Sequence, residues 1–178
     1  MQLQYNIITP SAITPIQVDS VLKYHCAING ESYNELLSEY IEAATGYIES
    51  YLGYPLMSQV ISLSLAALPR ESQVLTGNVV SLTKLEYTDL NYEPVEITEA
   101  EDLPTLERKG LLSYAKLDWP KGSDFKIEAT AGYTVENVPP AIKQVARLLV
   151  AHMFEMRMPT VVRLPDTVTT RLDFYALY

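Results

Sequence analysis

The sequence is poor in the residues that build chemistry. It has one cysteine, Cys26, so no internal disulfide can form, which fits a reducing compartment. Its only histidines are His25 and His152, far apart along the chain. The seven glycines are scattered, and none makes a GxGxxG or a P-loop, so the sequence has no glycine-rich phosphate cradle. Basic side chains are scarce: 13 Lys and Arg stand against 22 Asp and Glu, for a formal net charge of −9. Broad phosphate binding needs clustered Lys and Arg, so the balance argues against a nucleic-acid coat. Long apolar runs are missing too. Met1 to Asn6 holds no basic residue and no apolar stretch, so no secretory signal is expected there. Further on, the run Leu148 to Ala151 is far too short to cross a bilayer.

What the chain does have is enough apolar material to fold. At 178 residues, 48% hydrophobic and 20% charged, it has the composition of one ordered domain (1–178). Thirteen tyrosines against three phenylalanines favour half-buried surfaces, where an apolar ring meets a polar rim. Charge is uneven: residues 1–52 and 53–138 are acidic, whereas 139–178 carry a small positive excess. An acidic body with a basic C-terminal end suits head-to-tail contacts between copies.

Periodicity predicts two long helices, at about 32–52 and 140–156. In the first, Ser32 and Glu35 have the spacing of a capping box. Leu37, Tyr40, Ile41, Ala44, Tyr47, Ile48 and Tyr51 recur at helical spacing as a buried stripe, and Gly53 with Pro55 ends the run. On the far side, Glu35, Glu39, Glu42 and Glu49 lie within about 80° of one another at 100° per residue. Gly46 interrupts that acidic face, as a close backbone approach would require. The second helix opens at Val138-Pro139-Pro140 and is apolar almost all round, so it should be covered on most sides. Near the start, Thr14 and Pro15 suggest the cap of a short helix.

The middle, 57–133, reads as a β insertion. Ile61, Leu63 and Leu65 alternate with serines, and Phe125, Ile127 and Ala129 alternate with polar residues. The apolar phase slips between Leu82 and Leu85, which a bulge would repair. Asp89-Leu90-Asn91-Tyr92 reads as a turn. After residue 165 a short amphipathic piece carries Val168, Leu172 and Tyr175 on one side. The expected fold class is therefore α+β: a helical core with an inserted small antiparallel β block.

No catalytic constellation stands out. His152 and Glu155 sit three apart on one helix, a metal-competent pair that lacks a second pair. No GxSxG elbow accompanies the histidines, and His25 and Cys26 are adjacent, so their side chains diverge. No catalytic residue, metal or cofactor is expected. The four-Glu stripe reads first as a solvated helix face. Its sharper reading is an acidic surface facing a neighbour, or lining a channel where it would keep DNA phosphates from sticking.

Several ordered segments together resemble the head–tail connector (adaptor, head-completion) proteins of long-tailed bacteriophages and gene transfer agents. They are Ile13-Thr14-Pro15, Ala43-Ala44-Thr45 with Tyr47-Ile48-Glu49, Leu52-Gly53-Tyr54-Pro55-Leu56, Leu85-Glu86-Tyr87-Thr88-Asp89 and Trp119-Pro120. Ala131-Gly132-Tyr133, Val138-Pro139-Pro140-Ala141-Ile142-Lys143 and the terminal Leu172-Asp173-Phe174-Tyr175 complete the order. Met158-Pro159 after Arg157 and the aromatic chain end depart from the pattern.

The resemblance implies a non-enzymatic virion protein in the neck, assembled in the host cytoplasm. It would form a ring, commonly of twelve copies, between portal and tail, with DNA passing through unbound. It also implies a C-terminal tail, 166–178, that reaches into the portal protein through Arg171, Leu172, Phe174, Tyr175, Leu177 and Tyr178. Glu35, Glu39, Glu42 and Glu49 would face the channel or the next subunit. The residues leave two alternatives open: a neck or tail-completion protein one layer further down, and a small enzyme whose site the sequence hides.

Overall fold

A computed structural model of the chain describes residues 5–67, 74–109, 112–115, 119–157 and 166–176. The described elements follow in the order β1 (Tyr5–Thr9), α1 (Ser20–His25), α2 (Asn34–Leu52), β2 (Gln59–Ala67), β3 (Val74–Gly77) and β4 (Val79–Thr88). Then come β5 (Pro94–Ile97), β6 (Leu106–Lys109), β7 (Leu112–Ala115), β8 (Ser123–Ala131), α3 (Pro140–Met156) and α4 (Asp166–Leu172). They gather into two compact units, one from Met1–Ser11 and Ser58–Gly132, the other from Ala12–Met57 and Tyr133–Tyr178.

The expectation of a helical core with a small β insertion is overturned. The β unit carries a core of its own, built on a five-stranded antiparallel sheet in the order β1-β2-β8-β4-β5. Its first strand comes from the N-terminal segment, outside the stretch expected to hold all the β structure; Tyr5 pairs with Leu63 and Ile7 with Ile61. A second antiparallel sheet runs β3-β7-β6. The physical reason is alternation on three neighbouring strands. Leu63 pairs with Ile127 and Leu65 with Phe125, so one face stacks apolar side chains in register. Ile61, Leu63, Leu85, Phe125 and Ile127 are fully buried there. Phe125 stacks on Tyr87 at 5.6 Å and meets Trp119 edge-on at 6.0 Å, between ring centroids. The register of β4 on β8 shifts between Leu82 and Lys84, where the apolar phase slips.

The helical unit packs α2 on α3. Leu37, Tyr40, Ile41, Ala44, Ile48 and Leu52 of α2 are buried, and so are Ile142, Val145, Ala146, Leu149, Val150 and Met153 of α3. Gly53, left-handed at φ 76°, ends α2 by giving its N–H to Glu49 O. The start of α2 differs from expectation: Tyr33 takes the cap position, no side chain caps the helix, and Ser32 lies outside it. The capping box does not form. The expected cap of the first short helix moves as well. Asp19, not Thr14, caps α1 by accepting the Leu22 N–H at 2.7 Å. Thr14 instead gives its hydroxyl to Ile16 O at 2.7 Å.

Candidate functional site

The C-terminal segment is docked on its own unit by both faces of chemistry. In α4 the Thr169 and Thr170 hydroxyls donate back to Asp166 O at 3.0 and 2.8 Å. Val168 and Leu172 lie in the helical core, Leu172 fully buried. Arg171 donates to Gln144 Oε1 at 2.6 Å. Just beyond, Asp173 accepts the Tyr51 hydroxyl on Oδ1, and Ala176 returns its N–H to Leu172 O at 3.0 Å. Tyr175 is half-buried against the same core. Burial, then the neighbouring Tyr133 and Tyr175 phenols, hold the Tyr54 hydroxyl far above the usual phenol range. Phe174 points outward at 88% exposure, and Arg171 is exposed as well. So of the six tail residues, Leu172 is committed to the core, Arg171 and Phe174 are presented, and Tyr175 is shared. Leu177 and Tyr178 lie outside the described residues.

The acidic stripe divides. Glu35, Glu39 and Glu42 are exposed on the side of α2 away from the core. Glu49 is half-buried, and its Oε1 accepts the Leu56 N–H at 2.7 Å, closing the turn that follows the helix. Burial raises the Glu49 carboxyl above its ordinary range, and the Leu56 and Met57 amides pull it partly back. Glu49 is thus a clip between α2 and the next turn. Gly46, expected to mark a close approach, instead has open space where a Cβ would point.

The two histidines, distant in sequence, come together. A hollow of ≈ 590 Å³ is lined by His25 and Cys26 at the end of α1, and by Leu148, Ala151, His152 and Glu155 on α3. Phe154 and Arg157 complete one side. The Arg157 guanidinium lies 4.9 Å from the centroid of the Phe154 ring and 5.8 Å from that of Tyr33. Sequence reasoning kept His25 and His152 apart because nothing in it showed α1 packing against α3. Burial pushes the Cys26 thiol up, which is the reverse of what an activated thiolate needs. Among the described residues no group of three or more His, Cys, Asp or Glu side chains can hold a metal ion. No described helix is long and apolar enough to cross a membrane.

A family model described as head completion protein matches residues 16–163. The chain belongs to the head completion protein family. A search of curated proteins finds no match. Among solved structures, this head completion protein is similar to a chain in the neck of an empty gene transfer agent particle computed with C6 symmetry. The identity is 19%, the TM-score 0.71, and the match covers 99% of this chain and 96% of that one. A chain in the virion of a native gene transfer agent particle matches at 20% identity and TM-score 0.70, again over 99% and 96%. A chain in the neck of a native particle computed with C12 symmetry matches at 20% identity and TM-score 0.65, with the same coverage. These likenesses span both units, so the β unit is part of the shared fold. Family membership makes the chain a structural component of a virion, at its neck.

Proposed function

We propose that this head completion protein is the connector between portal and tail. Copies close into a ring, twelve around, and DNA passes through the bore without being bound. The observation that carries this reading is the family match over residues 16–163, together with end-to-end likeness to chains from particle necks. The work is surface complementarity repeated around an axis, not turnover of a substrate. The raised Cys26 thiol fits that reading. Glu35, Glu39 and Glu42 form the acidic face turned to the bore or to the neighbour, where like charge keeps phosphates from adhering. Arg171, Phe174, Tyr175, Leu177 and Tyr178 reach for the portal, with the exposed Phe174 ring as anchor and Leu172 holding the tail's root in place. Assembly takes place in the host cytoplasm, and the finished ring stays in the virion neck.

The test is electron cryo-microscopy of purified portal rings mixed with this protein. An added ring of density against the portal's tail-side face is expected. A ring that attaches only below another neck protein would move it one layer down. A protein that ignores portal and neck components alike would sink the reading.

A further inference from the structure

Resting on the ring reading, we propose that the Leu90–Tyr92 hairpin tip of one copy docks in the hollow beside His25 and His152 of the next copy, making the head-to-tail contact that closes the ring. The tip joins β4 to β5 and is tightly built. Asp89 Oδ1 accepts the N–H groups of Asn91 at 2.8 Å and Glu93 at 2.9 Å, and Oδ2 accepts from Asn91 Nδ2 at 3.1 Å. The Asp89 N–H donates to Glu93 O at 2.9 Å, and the Tyr92 N–H to Asp89 O at 3.2 Å. This network holds Tyr92 left-handed at φ 65°, a conformation that costs a residue with a Cβ and that glycine or asparagine takes more readily.

The product of that effort is two large apolar side chains in water: Leu90 is 72% exposed and Tyr92 89%. The fold gains nothing from them there. A rigid aromatic knob with little conformational freedom left to lose is what an interface anchor requires.

The hollow is its complement. Its floor is apolar, with Leu148, Ala151 and Phe154, and at ≈ 590 Å³ it lies within the size range of clefts that take ligands. Its rim offers one guanidinium, Arg157, and the imidazoles of His25 and His152, beside the carboxylate of Glu155. The knob brings the carboxylates of Asp89 and Glu93 to meet that rim. Bonds from the Glu93 and Asn91 amides keep Asp89 below the usual carboxylate range, so it arrives charged. The knob belongs to the β unit and the hollow to the helical unit. Two different complementary patches on one chain make a heterologous contact, the kind that generates rings.

The test uses the full chain assembled on portal rings. In Asn91→Cys, which keeps Leu90 and Tyr92, a short bis-maleimide at mildly alkaline pH should link position 91 to the native Cys26 of the next copy. A ladder of covalent oligomers is expected on a denaturing gel, and Cys26→Ser in the same background should erase it. Tyr92→Gly removes the ring while suiting the left-handed backbone, so the melt should hold or rise while ring closure weakens roughly tenfold or more. Rings that assemble without a ladder, rings that Tyr92→Gly leaves intact, or links to the portal instead would each overturn the docking and leave the connector reading standing. No ring from the unmodified protein would overturn the connector reading itself.

Discussion

Glu49 offers the sharpest test of what the acidic stripe does, because structure separates it from its three companions. Replacing it with alanine removes the acceptor that holds the Leu56 N–H, on a residue whose side chain is fully buried. A lost bond to a charged acceptor, with a donor left unmatched, costs about 1–3 kcal/mol. For a chain of this size each kcal/mol moves the midpoint by roughly 2–4 °C, so a loss near the middle of that range lowers Tm by about 4–8 °C. Glu49→Gln should behave differently, since its amide oxygen still accepts the N–H and no charge is left half-buried.

The pH dependence follows from the direction of the shift. Burial raises the folded-state pKa, so the folded protein takes up this proton more readily than the unfolded chain. The stabilisation linked to that proton is full below the unfolded value, near 4.5, and is lost as pH rises through the folded one. Glutamine mimics the protonated form, so Glu49→Gln should match or exceed the natural protein at neutral pH, and its advantage should shrink as pH falls towards 4.5. Thermal melts followed by circular dichroism across pH measure this. Glu39→Ala, exposed on the same helix, is the control and should stay within about 0.5 kcal/mol. Equal melts for Glu49→Ala and Glu39→Ala would refute the clip. So would Glu49→Gln falling as far as Glu49→Ala at every pH.

Two glycines give opposite expectations in the same melting assay. Gly46→Ala meets open space in mid-helix and should stabilise by about 1 kcal/mol, whereas in Gly122→Ala the new Cβ collides with the Thr88 carbonyl oxygen and lies 2.7 Å from Tyr87 Cδ2, costing about 1–3 kcal/mol. Tail truncation separates anchoring from folding. Deleting 174–178 removes the half-buried Tyr175, so it should cost about 1 kcal/mol, leave the protein folded and abolish portal binding in a pull-down. Deleting 171–178 also removes the buried Leu172 and should destabilise by about 2–5 kcal/mol. Retained portal binding after the shorter deletion would remove the anchor.

Much of the helical unit was legible because periodicity is local. In α2 the spacing named Leu37, Tyr40, Ile41, Ala44 and Ile48, all buried, though Tyr47 and Tyr51 of the same stripe are half-buried and Leu52 was missed; α3 is as broadly apolar as expected, and Gly53 with Pro55 marks a boundary. The slip between Leu82 and Leu85 foretold an irregular strand for the same reason. The ordered segments also carried the family, since a resemblance needs no knowledge of contacts. Helix starts were less legible: Ser32 with Glu35 has the spacing of a capping box, yet the chain begins its helix at Asn34.

The β unit was underestimated because pairing is long-range. No local pattern says that Tyr5–Thr9 joins a strand more than fifty residues later, or that two sheets rather than one small block form. The same limit applies to surfaces. By itself the sequence determined which side chains must leave water, where the long helices run and which family the chain resembles, because hydrophobic spacing and motif order are written along the chain. Tertiary structure alone decided that Glu49 faces a backbone N–H while Glu39 faces solvent, that Leu172 is core and Phe174 is not, and that His25 shares a hollow with His152. Each depends on which elements meet in space, and a free energy of contact has no address in a one-dimensional string.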